Sequence, residues 1–113
     1  MTSTIGTVTF DVASPSRMQD FWAAVLGYSK TECADDWALI KDPGGGGLAI
    51  FFQRVPESKS AKNRVHLDVE HDDPEAEAER LIALGATKVK PFETWVVMHD
   101  IEGNEFCIVK RSG

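Results

Sequence analysis

Landmark residues recur along this chain at a nearly constant separation. Pro15 and Pro74 lie 59 residues apart, each just after a capping residue, Ser14 or Asp73. Thr7 and His66 each stand eight residues ahead of those prolines, and Gly27 and Gly85 are 58 apart. Trp37 and Trp95, and Asp42 and Asp100, keep the same separation of 58. A repeat of this length makes each half one supersecondary unit that cannot bury its sheet face alone. The chain is therefore expected to fold as two similar modules, residues 4–54 and 63–110, within one domain of residues 1–113.

Each half reads as β-α-β-β-β. Thr4 to Val12 alternates apolar and polar residues, the period of a half-buried strand. Met18, Phe21, Trp22, Val25 and Leu26 then fall at helical spacing, and Gly27 stops the helix. Tyr28 to Glu32, Trp37 to Lys41 and Leu48 to Phe52 complete the first half as strands. Asp42 and the following glycines form a turn; that run lacks a Lys-Ser/Thr ending and leads into a strand, so it is no phosphate loop. Residues 55–62 read as a surface connection. In the second half Val65, Leu67 and Val69 alternate with His66, Asp68 and Glu70. Asp73 and Pro74 open a helix with acidic residues in its first turn, Leu81, Ile82 and Leu84 supply its apolar mass, and Gly85 ends it. The strand from Val65 to Val69 is expected to be central, and Glu105 to Lys110 to be the last strand.

Composition bounds the partners. A net charge of −6 and a pI near 4.9 argue against nucleic acid or an anionic membrane as partner, both of which attract basic surfaces. No apolar run approaches the ~20 residues of a membrane span. No basic region followed by an apolar stretch opens the chain, so a cytoplasmic protein with reduced thiols at Cys33 and Cys107 is expected.

The pattern Phe-Asp-Val-x-x-Pro, Phe-Trp, Val-Leu-Gly-Tyr, followed by Asn-Arg-Val-His-Leu-Asp-Val, Leu-Gly-Ala-Thr and Asp-x-Glu-Gly-Asn-Glu-Phe-Cys, resembles the vicinal oxygen chelate superfamily. Within it the chain is most similar to small glyoxalase-like and bleomycin-resistance-like proteins, from about Thr4 to Val109. The resemblance implies an α+β fold: tandem βαβββ modules forming a cup-shaped mixed sheet with helices on the convex side. It also implies a homodimer. It places the superfamily's metal-ligand slots on Thr7, on Ala49 or Phe51, on His66 and on Cys107. Of these only His66 and Cys107 are ordinary ligands, so the metal site is degenerate and no cofactor is expected as a fixed component. Asp68, sharing a face with His66, offers a third donor and would make a zinc-type set with an open position; nickel and manganese are the other metals considered.

Period two groups Thr7, Thr9 and Asp11; Trp37, Leu39 and Lys41; Ala49, Phe51 and Gln53; Arg64, His66 and Asp68; Trp95, Val97 and His99; and Glu105, Cys107 and Val109. The opposite residues (Ile5, Val8, Phe10, Val65, Leu67, Val69, Phe106, Ile108) are expected in the core. The resemblance implies that Thr7 and His66 face the concavity, which makes Thr7, Trp37, Phe51, His66, Asp68, Trp95 and Cys107 the candidate ligand-binding set for a small organic molecule. The alternative for His66 and Asp68 is a pair that only fixes the sheet, for the tryptophans plain packing, and for Cys107 a small buried hydrophobe. A metal-dependent lyase or isomerase of the glyoxalase type is the competing function, with Asp68 or Glu105 as ligand or base. An interaction module without a ligand is the third.

Overall fold

A computed structural model describes residues 1–111 as two compact units, one of residues 1–58 and one beginning at Lys59. The first contains β1 (Thr7–Val12), α1 (Pro15–Leu26), β2 (Ser29–Cys33), β3 (Trp37–Lys41) and β4 (Ala49–Arg54). The second contains β5 (Leu67–His71), α2 (Pro74–Ala83), β6 (Thr87–Pro91), β7 (Trp95–His99) and β8 (Glu105–Lys110). Both are four-stranded mixed sheets of equivalent order, β1-β4-β3-β2 and β5-β8-β7-β6. The fold is α+β, built from two βαβββ modules. Among the described residues no helix is long and apolar enough to cross a membrane.

In the first module one sheet face packs under α1. Ala38, Ile40, Ile50 and Phe52 are buried there with Met18, Phe21 and Trp22 from the helix. Phe10 meets both Trp22 and Phe52 edge-on at 5.5 Å. Ser14 Oγ accepts from the Arg17 N–H, and Gly27 closes α1 in the left-handed region at φ 69°. Gln19 is buried, and its amide donates to the Glu32 and Leu39 carbonyls, tying the helix to β2 and β3.

The second module repeats the plan with a thinner helix. Leu81 and Ala78 are buried against Val96, Met98, Phe106 and Ile108. Glu77 stands where Gln19 stands, 58 residues on, and is also buried. It accepts two 2.7 Å bonds from Arg80 and lies 3.6 Å from His71 Nε2. Asp42 and Asp100 share a role too. Each carboxylate accepts backbone N–H groups of the turn before the last strand, from Gly44 and Gly47 or from Glu102 and Asn104.

Several expectations are corrected. β5 is an edge strand of its four-stranded sheet, not a central one, because it pairs in parallel with β8 alone. It begins at Leu67, where pairing with Phe106 begins, so Val65 and His66 precede it. Val65 and Ile5 are exposed rather than core, since both lie ahead of the first ladder pairs. Likewise β1 starts at Thr7 rather than Thr4, and β4 at Ala49 rather than Leu48. Ile82 and Leu84 are partly exposed, leaving Leu81 as the anchor of α2.

Candidate functional site

The sheet faces turned away from the helices carry the expected polar residues. In the second module β8 supplies Cys107 at the centre of a row, with Asp68 of β5 as its parallel partner and Val97 of β7 on its other side. One residue before β5, His66 places its Nε2 3.3 Å from Asp68 Oδ1. A ligand atom from each of His66, Asp68 and Cys107 lies within 4.8 Å of the other two. The histidine and aspartate side chains are 42% and 55% exposed, whereas Cys107 is buried. An exposed imidazole and an exposed carboxylate thus face one buried sulfur.

Electrostatics keep that sulfur protonated without a partner. Burial pushes the Cys107 thiol up, and the carboxylates of Asp68 and Glu105 push in the same direction against a smaller opposing effect of Lys62. Glu105 lies on the same face but is held by Lys62, whose hydrogen bond lowers the carboxyl's pKa. A carboxylate hydrogen-bonded to an ammonium group is a weaker base than a free one.

The aromatic candidates are placed less simply. Trp95 is on the Cys107 face by alternation along β7, opposite Val109. It stacks on Phe92 at 4.4 Å, and Lys90 Nζ sits 5.0 Å from the Phe92 ring centre. Phe92 belongs to the β6–β7 turn and escaped the sequence reading because turn residues carry no periodicity. In the first module Trp37 and Phe51 stack at 5.7 Å, and Thr7 is the register partner of Ala49. Gln53 donates to Asp11 on the same face. An open depression of about 530 Å³ also lies in this module, lined in part by Ser14, Cys33, Asp35 and Arg54. It includes none of the expected ligand-binding residues.

Residues 7–109 match the glyoxalase-like domain family. The chain belongs to that family. No curated protein matches this glyoxalase-like chain. Solved structures share its fold. A glyoxalase/bleomycin resistance/dioxygenase family enzyme from Burkholderia phytofirmans PsJN is 23% identical, with 96% of this chain and 98% of that one covered at a TM-score of 0.79. The fosfomycin resistance protein FosX from Mesorhizobium loti is 17% identical, covering 99% and 94% at 0.79. A FosX mutant from Listeria monocytogenes, complexed with Mn(II) and 1S,2S-dihydroxypropylphosphonic acid, is 16% identical, covering 96% and 90% at 0.76.

The donors of this glyoxalase-like chain fit manganese poorly. Mn(II) favours six oxygen-rich, octahedral donors. Here the second module offers one imidazole, one carboxylate and one thiol.

Proposed function

We propose that this glyoxalase-like protein binds a small organic molecule on its open sheet faces and has lost the hard-metal site. The observation that carries the reading is the convergence of His66, Asp68 and Cys107 on a face that also bears Trp95. Polar groups of this kind orient a ligand, and aromatic area supplies affinity. Trp37, Phe51 and Thr7 are the proposed contacts on the first module's open face. The net charge of −6 favours a cationic ligand, as for bleomycin-resistance-like proteins. The protein is proposed to act as a homodimer in the cytoplasm, where the free thiols of Cys33 and Cys107 would stay reduced.

Titration with bleomycin, a cationic drug, and with fosfomycin, an anionic phosphonate, followed by tryptophan fluorescence and calorimetry, tests this reading. Bleomycin should bind more tightly. His66→Ala should weaken it by about 1–3 kcal/mol through a lost hydrogen bond, and Trp95→Ala by at least as much. Affinity unchanged in both variants would place the ligand elsewhere, and binding of neither drug would reject the cationic assignment.

The proximity of His66, Asp68 and Cys107 favours a second reading, a metal-dependent lyase or isomerase of the glyoxalase type. There His66 and Cys107 would hold the metal, which polarises a carbonyl, and Asp68 would hold the metal or move the proton. Metal analysis of protein reconstituted with zinc, nickel and manganese separates the two. Failure to retain any of them excludes the enzyme.

A further inference from the structure

Resting on the reading of a cationic organic ligand, we infer that Asp11 and the stacked rings of Trp37 and Phe51 form a subsite for an aryl-substituted ammonium compound. It lies on the open face of the first module.

Strand alternation assembles the subsite. Val12, Ala38 and Phe52 are buried, so their chain neighbours Asp11, Trp37, Phe51 and Gln53 stand on the opposite face. Register places Gln53 between Asp11 and Trp37 in one row across β1, β4 and β3. Gln53 Nε2 donates to Asp11 Oδ1 at 2.7 Å. That bond orients the carboxylate from one side and leaves Oδ2 for a donor on a ligand. Phe51 lies one alternation step back along β4, roughly 7 Å from Gln53. It stacks on Trp37 with ring centroids 5.7 Å apart and planes 16° from parallel. Both rings are half-buried, whereas Asp11 is exposed.

The chemistry of these groups then selects the ligand. Half-buried rings offer apolar area and a negative face, which attract a second ring and a cation. The Asp11 carboxylate adds a charge complement and a strong acceptor for N–H. By sheet spacings the Cα atoms of Asp11 and Phe51 are roughly 8 Å apart, which suits an ammonium held a few bonds from an aryl ring. Lys41, on the same face of β3, stands at the far end of that strand from Trp37. That is roughly 13 Å along the strand, beyond the ~8 Å over which exposed charges act at physiological salt. A cation at Asp11 is therefore little opposed, and an anion there would be repelled.

The test uses the full chain and three probes that share one ring and differ in charge, titrated at low salt and followed by NMR. They are phenethylammonium, the neutral phenethyl alcohol and the anionic hydrocinnamate. Phenethylammonium should bind about tenfold more tightly than the alcohol, with hydrocinnamate weakest and the largest shifts at the Trp37 indole and the β1 amides. Asp11→Asn, at an exposed position, should erase the preference for the ammonium and leave the affinity for the alcohol unchanged. Trp37→Ala should weaken both by about fivefold or more. No saturable binding of phenethylammonium, equal affinity for the alcohol, or a preference that survives Asp11→Asn would each overturn the subsite. Bleomycin titration of the same variants separates the two readings. Bleomycin binding that His66→Ala weakens and Asp11→Asn does not defeats this inference alone. Phenethylammonium held through Asp11, with bleomycin unbound, defeats only the drug assignment.

Discussion

Replacing Glu77 with glutamine isolates the ion pair that its buried carboxylate makes with Arg80 one turn along α2. The Glu77 side chain is only 8% exposed, and Arg80 donates to both of its oxygens at 2.7 Å. Hydrogen bonds to charged groups contribute about 1.5–3 kcal/mol each when desolvated. Arg80 is 48% exposed, however, and regains water when the carboxylate is neutralised, which removes much of that gain. Glutamine also keeps one acceptor oxygen. The net loss is therefore set at about 1–2 kcal/mol, or roughly 4–8 °C in Tm for a chain of this size. The pH dependence follows from the Arg80 hydrogen bond, which outweighs burial and holds the Glu77 carboxyl below its ordinary value of 4.5. Because the folded pKa is the lower one, the contribution is complete above the unfolded value and disappears as pH falls through the folded value. Differential scanning calorimetry of both proteins should give a Tm gap that is constant from neutrality to about pH 5 and closes below the ordinary value of 4.5. His71, the other ionisable group facing Glu77, is removed from the comparison by repeating the series on a His71→Gln background. No gap at pH 7, or a gap that widens in acid, would refute the reasoning.

Gln19→Ala leaves the Glu32 and Leu39 carbonyls without their side-chain donor and should cost about 1–3 kcal/mol in urea denaturation. Gly85→Ala should be the more damaging of two glycine changes. At φ 114° its Cβ would stand 2.9 Å from Ile101 Cγ2, whereas Gly27→Ala meets nothing and should cost about 1–2 kcal/mol for its left-handed backbone alone. Equal losses in thermal melts would remove the Ile101 contact as a cause. Lys62→Met should raise the Glu105 carboxyl pKa toward its ordinary value, read by carboxyl NMR titration, and no change would disconnect the two groups.

Local chemistry made much of this fold readable in the residues themselves. The capping residues Ser14 and Asp73, the prolines behind them and the glycines that stop both helices act within a few residues of their own positions. Alternation likewise told which residues share a face, and the structure keeps Asp68 beside Cys107 accordingly. The repeat's offset of 58 also links Gln19 to Glu77, two of the buried polar side chains. Pairing was another matter. That β5 is an edge strand, and that its ladder opens at Leu67 and leaves His66 just outside, depends on where β8 begins some forty residues later. Period-two alternation is unchanged by where a ladder starts, so it placed Val65 and Ile5 in a core that they do not enter. The engagement of Glu105 by Lys62 and the stacking of Trp95 on Phe92 were decided by tertiary structure for the same reason. Both partners come from loops, whose positions are set by the strands they join and not by any periodicity of their own.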